Sequence, residues 1–153
     1  MKPHTSKSST SRVGGAVLEA FLVLPILMAL AFGTVEFGWF FFVKHSMQGA
    51  AREGARAAIL PDADNTKVAA AVATSLKAAG LDNSGYSVGV TVNNSPVSVS
   101  GLPAGTQITV TVQCLWSQVG TGLRPMGLIS TTKTVNNVST PRYVTGTTVM
   151  RKE

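Results

Sequence analysis

Two periodicities divide this chain. From Ala20 to Val43 the residues are almost continuously apolar, interrupted by a single charge, Glu36. As a helix these 24 residues reach about 36 Å, enough to cross a hydrocarbon core of about 30 Å. The helical pattern then continues in amphipathic form. Over Ser46–Leu60, Met47, Ala50, Ala51, Gly54, Ala55, Ala58 and Ile59 fall on one side, and Arg52, Glu53 and Arg56 on the other, until Pro61 ends the run. Residues 15–60 therefore read as one long helix whose Ala-rich face needs a partner. A second helix is expected over Asn65–Ala79, with Asp62 or Asp64 as its cap, Val68, Val72 and Leu76 as its buried stripe, and Gly80 closing it.

Beyond Asn83-Ser84-Gly85, which is turn chemistry, the period becomes two. Val88, Val90 and Val92 alternate with Ser87, Gly89 and Thr91; Ile108, Val110, Val112 and Cys114 alternate with Thr109, Thr111 and Gln113. The Ser/Pro/Gly-rich connector Asn93–Thr106 reads as an exposed loop. Two further strands are expected over Thr132–Val138 and Arg142–Met150. The apolar but irregular stretch Trp116–Ile129 reads as a short helix over the sheet edge, or as a loop offering apolar surface to a partner or to the outer membrane face. The pattern as a whole predicts an α+β protein. A long N-terminal transmembrane helix precedes a second helix and a small, mostly antiparallel β-sheet. The expected divisions are a basic leader over 1–14, the long helix over 15–60 with its span at about 20–43, and an extracytoplasmic domain over 61–153.

Charge refines the picture. Of 13 Lys and Arg residues, Lys2, Lys7 and Arg12 precede Glu19 with no acid between them. Positive charge ahead of a span holds the N-terminus in the cytoplasm. No long basic run follows and aromatics are 7% of the chain, so nucleic-acid binding is a poor account of the net +6. Glu19 and Glu36 lie about 26 Å apart along a helix and so can sit near opposite membrane faces. Trp39, the Phe40–Phe42 cluster and Lys44 suit the far interface. Pro25 removes one backbone hydrogen bond inside the span and is expected to kink it.

Candidate chemistry is sparse. The sequence has no phosphate loop, hydrolase elbow or zinc spacing, and its two histidines, His4 and His45, have no partner in sequence. No catalytic residue, cofactor or metal site is expected, and the chain does not read as an enzyme. The single cysteine, Cys114, reads as a small buried strand residue.

The string GGAVLEAFLVLPILMALAFGTVEFGWFFF, then QGAAREGARAA, and the ending TTVMRKE resemble the TadE-like family, the minor pseudopilins of tight-adherence (Tad) type IV pili. Ala20 stands where that family usually has an aromatic, and Phe21 follows it. The resemblance implies that a prepilin peptidase cuts after Gly14, leaving Gly15 as the new N-terminus and Glu19 as the fifth mature residue. It implies that Glu19 sets axial register against other pilins, alongside the pilus assembly platform and within the lipid bilayer, in a fibre used for adhesion. Gly33, Glu36, Gly38, Gly49 and Gly54 form a possible subunit-packing face. The expected location is the cytoplasmic membrane, crossed once, with the C-terminal domain outside. Two other readings stand beside it: an uncleaved single-pass anchor carrying a binding domain, and a secreted domain cut after Ala31 by an ordinary signal peptidase.

Overall fold

The computed structural model describes residues 11–119 and 126–153, with side chains placed from Gly14 onward. Helix α1 runs from Ser11 to Ile59 and α2 from Asn65 to Ala78. The strands are β1 Ser87–Val92, β2 Ser95–Pro96, β3 Gln107–Leu115, β4 Thr132–Val135, β5 Val138–Pro141 and β6 Tyr143–Arg151. The main sheet has the order β2-β1-β3-β6 with every pairing antiparallel, and β4 and β5 form a separate hairpin. The expected α+β architecture, with its long apolar helix, second helix and small antiparallel sheet, is what the chain adopts.

Periodicity places the core. Alternate residues of β3, namely Ile108, Val110, Val112 and Cys114, are buried, and so are Val68, Val72 and Leu76 of α2. Both sets close on α1, where Val43, Met47, Ala50, Ala51, Ala55 and Ala58 are buried in one cluster with them. The partner that the Ala-rich face requires is thus the chain's own α2 and sheet. The opposite face stays in water, where Arg56 pairs with Glu53 at 3.3 Å.

Two glycines permit this closeness. A Cβ on Gly54 would lie 2.7 Å from Val72 Cγ2 and 3.2 Å from Val110 Cγ1, so α1, α2 and β3 meet there. A Cβ on Gly146, in the middle of β6, would lie 2.2 Å from the Met47 carbonyl oxygen and 2.5 Å from the Gln48 nitrogen. Helix backbone and strand backbone therefore touch directly, an approach only glycine allows.

Five places bear on the expectations. First, α1 begins at Ser11 and passes through Gly14-Gly15 unbroken. Each glycine costs a helix only about 1 kcal/mol relative to alanine, too little to end one alone. Second, the connector after β1 is not simply an exposed loop. Val99 is buried in the core, and its N–H donates to Asn65 Oδ1 at the start of α2, at 3.0 Å. Third, the strand expected over Thr132–Val138 is a hairpin. Asn136 and Asn137 both have positive φ (50° and 63°), the turn conformation that folds β4 back onto β5. Asn93 and Asn94 repeat the same pair of angles between β1 and β2. Fourth, the described residues of the Trp116–Ile129 stretch form a 3-10 turn at Trp116–Gln118 and irregular chain from Met126, and the middle of the stretch, where the short helix was expected, lies outside the described residues at 120–125. Fifth, the Lys44 ammonium donates to the Thr145 carbonyl of β6, a contact across the fold that its place at the end of the span did not announce.

Candidate functional site

The distribution of contacts along α1 defines the site. From Gly14 to Phe32 every residue is exposed. This part holds the one helical stretch among the described residues that is long and apolar enough to cross a membrane. From Gly33 onward the domain is docked on the helix. The boundary falls inside the stretch read as spanning, since Gly33, Glu36 and Val43 are all buried.

Four attachments fix the docked half. Near the membrane end, Glu36 is buried and its Oε1 accepts the Ile129 N–H at 2.8 Å. The amides of Leu128, Met126 and Gly127 also turn towards this carboxylate, and Gly127 supplies the positive φ (60°) that lets the loop curl around it. Four residues along, Phe40 meets the buried Trp116 edge to face with ring centroids 5.3 Å apart, and Trp116 Nε1 donates to the Ile129 carbonyl at 3.2 Å. In the middle, the side-chain amide of Gln48 behaves as a short length of strand. Its Nε2 donates to Thr147 O at 2.7 Å and its Oε1 accepts from Thr147 N at 3.2 Å, covering the free edge of β6. At the far end, Lys152 Nζ donates to Leu60 O at 3.1 Å and Glu153 N–H to Ile59 O at 3.4 Å. These satisfy carbonyls that a helix C-terminus leaves unpaired, and a cation suits the negative end of the helix dipole.

The residues singled out from sequence fall on both sides of this boundary. Gly14, Gly15 and Glu19 lie exposed near the start of α1, and nothing of the chain approaches a Cβ built on either glycine. Pro25 sits within the continuous helix, where its missing N–H leaves the Phe21 carbonyl without its intrahelical donor. The five candidate packing positions separate. Gly33 is covered by Leu128, Glu36 by the 126–129 loop and Gly54 by α2 and β3, all from the same chain, whereas Gly38 and Gly49 face open space. Gly146, Gln48 and Lys152 were not singled out. A lone glycine in an alternating strand was a usable signal for Gly146; nothing local marked the other two.

Among the described residues no cluster of His, Cys, Asp and Glu is arranged to hold a metal ion. Cys114 is buried, and burial pushes its thiol up to about 11, away from the thiolate needed for nucleophilic chemistry at neutral pH. Asp64 caps α2 by accepting the Lys67 N–H at 2.7 Å, while Asp62 pairs with the Lys67 ammonium. That ion pair holds the Asp62 carboxyl below its ordinary range and Lys67 above it.

A lipid-length helix, free at its N-terminal half and clamped to a small α+β domain at its C-terminal half, has the form of a single-pass membrane anchor carrying a domain. Within that class, the family model described as TadE-like protein matches residues 14–56, which makes the long helix of this chain a TadE-like segment and bears out the resemblance seen in its residues. The match covers 43 of the 153 residues, so the likeness is that of the long helix and not of the domain that follows it. Comparison with curated proteins and with solved structures gives no match.

Proposed function

We propose that this protein is a minor pseudopilin that takes part in building a Tad pilus used for adhesion. One observation carries the reading: the family match opens at Gly14, on a helix whose residues from Gly14 to Phe32 are all exposed and mostly apolar. In the proposal a prepilin peptidase removes residues 1–14 on the cytoplasmic side. The new Gly15 ammonium and the Glu19 carboxylate then lie about one helical turn apart. In a lipid environment a missing counter-charge is costly, so each is completed by its neighbour or by the matching pair on an adjacent pilin, which sets the stagger between helices. The domain remains outside the cytoplasmic membrane, and the helix passes to the pilus assembly platform with other pilins.

The mass of the protein purified from membranes tests the processing step. The expected mature chain begins at Gly15. Gly14→Leu should leave an uncut precursor, and a normal mature mass in that variant would refute the cleavage site. The uncleaved-anchor reading draws support from α1 running through the Gly14-Gly15 junction without a break, since a protease must first open that helix. An intact Met1 in the membrane fraction would establish it.

A further inference from the structure

Depth along α1 bears on what the 126–129 loop touches. Taking Glu19 as the residue at the cytoplasmic boundary, a hydrocarbon core of about 30 Å needs about 20 helical residues and ends near Trp39. Gly33 is then about 21 Å in and Glu36 about 26 Å in, both short of the outer boundary by several ångströms. A tilt of about 20° changes these depths by less than 2 Å. Leu128 sits at this same level, because its Cδ1 lies 3.5 Å from where a Cβ on Gly33 would be.

The surface there is suited to acyl chains. Ala29, Leu30, Gly33, Phe37, Gly38 and Leu128 line an open groove of about 570 Å³. Its one hydroxyl, Thr34, is already used, donating to Leu30 O at 2.9 Å. Leu128 and Met126 are 51% and 43% exposed and point away from the core. The loop's polar backbone is turned the other way, with its amides towards Glu36 and the Ile129 carbonyl on Trp116 Nε1. An ionisable group at this depth is costly when bare, and the loop covers Glu36 and donates to its Oε1, although Oε2 has no partner among the described residues.

From this geometry we infer that Met126-Gly127-Leu128 is a membrane-dipping loop: it enters the outer leaflet beside α1, lays Met126 and Leu128 among the upper acyl chains, and shields Glu36 from lipid. The domain is thereby seated on the membrane at a fixed depth. The inference rests on the single-pass membrane reading, and its test keeps the two separable.

A polarity-sensitive fluorophore is placed on the full-length protein as Leu128→Cys or Met126→Cys, with Leu27→Cys as the mid-span reference and Ala78→Cys on the exposed side of α2 as the aqueous one. The unaltered protein, whose only cysteine is buried, is the labelling blank. Each is reconstituted in phosphatidylcholine–phosphatidylglycerol vesicles and quenched either by lipids carrying a nitroxide high on the acyl chain or by aqueous iodide. The expected result is a loss of fluorescence with the shallow nitroxide at 126 and 128 and little loss with iodide. Iodide quenching at 126 and 128 with a lipid-protected Leu27→Cys would overturn the loop inference and leave the span intact. Protection from both quenchers would mean protein covers the loop, which also overturns it. Iodide quenching at Leu27→Cys would remove the span and the inference together.

Discussion

Replacing Gly146 by alanine tests the contact on which the position of the helix depends. The added methyl would have to sit 2.2 Å from the Met47 carbonyl oxygen and 2.3 Å from its carbon, atoms of a helix backbone that cannot rotate out of the way. Relief requires α1 and β6 to part by about 1 Å to restore ordinary van der Waals contact of about 3.5 Å or slightly less. Overpacking of this kind costs about 1–3 kcal/mol. The separation also stretches the two bonds between Gln48 and the Thr147 backbone, each worth about 0.5–1.5 kcal/mol. Against this, alanine reduces the freedom of the unfolded chain by about 0.4–1 kcal/mol. The net expectation is a loss of roughly 2–5 kcal/mol, a large share of the usual 5–15. Denaturant unfolding in detergent, followed through the fluorescence of the buried Trp116, measures it. Gly89→Ala is the control, since the nearest atom to its Cβ is the Thr111 carbonyl oxygen at 3.9 Å. If both variants unfold within about 0.5 kcal/mol of the parent, the ordinary range for surface changes, the close crossing of α1 over β6 is wrong.

Three other outcomes follow from the same geometry. Glu36→Ala leaves the Ile129 N–H unpaired and should cost about 1–3 kcal/mol, while Glu36→Gln, which keeps an acceptor, should recover most of it; equal midpoints for all three proteins would contradict the anchor. The Cys114 thiol is held neutral in the fold, up to about 11 from an ordinary value of 9.0. Its contribution to stability is complete below about pH 9 and is lost as pH rises towards 11, so the parent should weaken by roughly 1 kcal/mol more than Cys114→Ala between pH 7 and 10. The same thiol should resist alkylation at neutral pH until the protein is unfolded. Glu19→Ala should insert normally yet reduce pilus assembly, seen by counting pili on cells with matched protein levels; full piliation would count against a register role.

What could be read in advance was what repeats locally. Val68, Val72 and Leu76 recur every four residues and are buried together; Ile108 to Cys114 alternate and face the core together. Those periods are set by helix and strand geometry, so they survive without knowledge of the partner. Contacts between distant segments leave no such trace. Glu36 and Ile129 are 93 residues apart, and the pairing of Gln48 with Thr147 spans 99. An acid in an apolar run gave notice that something must compensate it, but not that a loop from the same chain would do so. The connector after β1 misled because its Ser, Pro and Gly content masks a single inward valine, Val99. The β4–β5 hairpin was hidden by the Asn-Asn pair, a weaker turn signal than Asn-Gly although asparagine also tolerates the left-handed region.

The two halves of α1 obey different rules, and that difference orders the whole molecule. In the last turns of the docked half the residues facing the domain are small: Ala50, Ala51, Gly54, Ala55 and Ala58 let α2 and the sheet come close, and Arg52, Glu53 and Arg56 are turned outward. In the free half large apolar residues, among them Phe21, Leu22, Leu24 and Ile26, point in every direction, a distribution that buries nothing in its own chain and is stable only with lipid or other helices around it. The clamps lie at Glu36, Phe40, Gln48 and the end of α1, spread over the full length of the docked half. A helix held at one point would swing about it; held at four, it moves with its domain as one body. Any displacement imposed on the docked half is therefore transmitted to the domain without an intervening hinge. The proposed pseudopilin role requires that coupling, since it has the anchor gripped by an assembly while the domain stays outside.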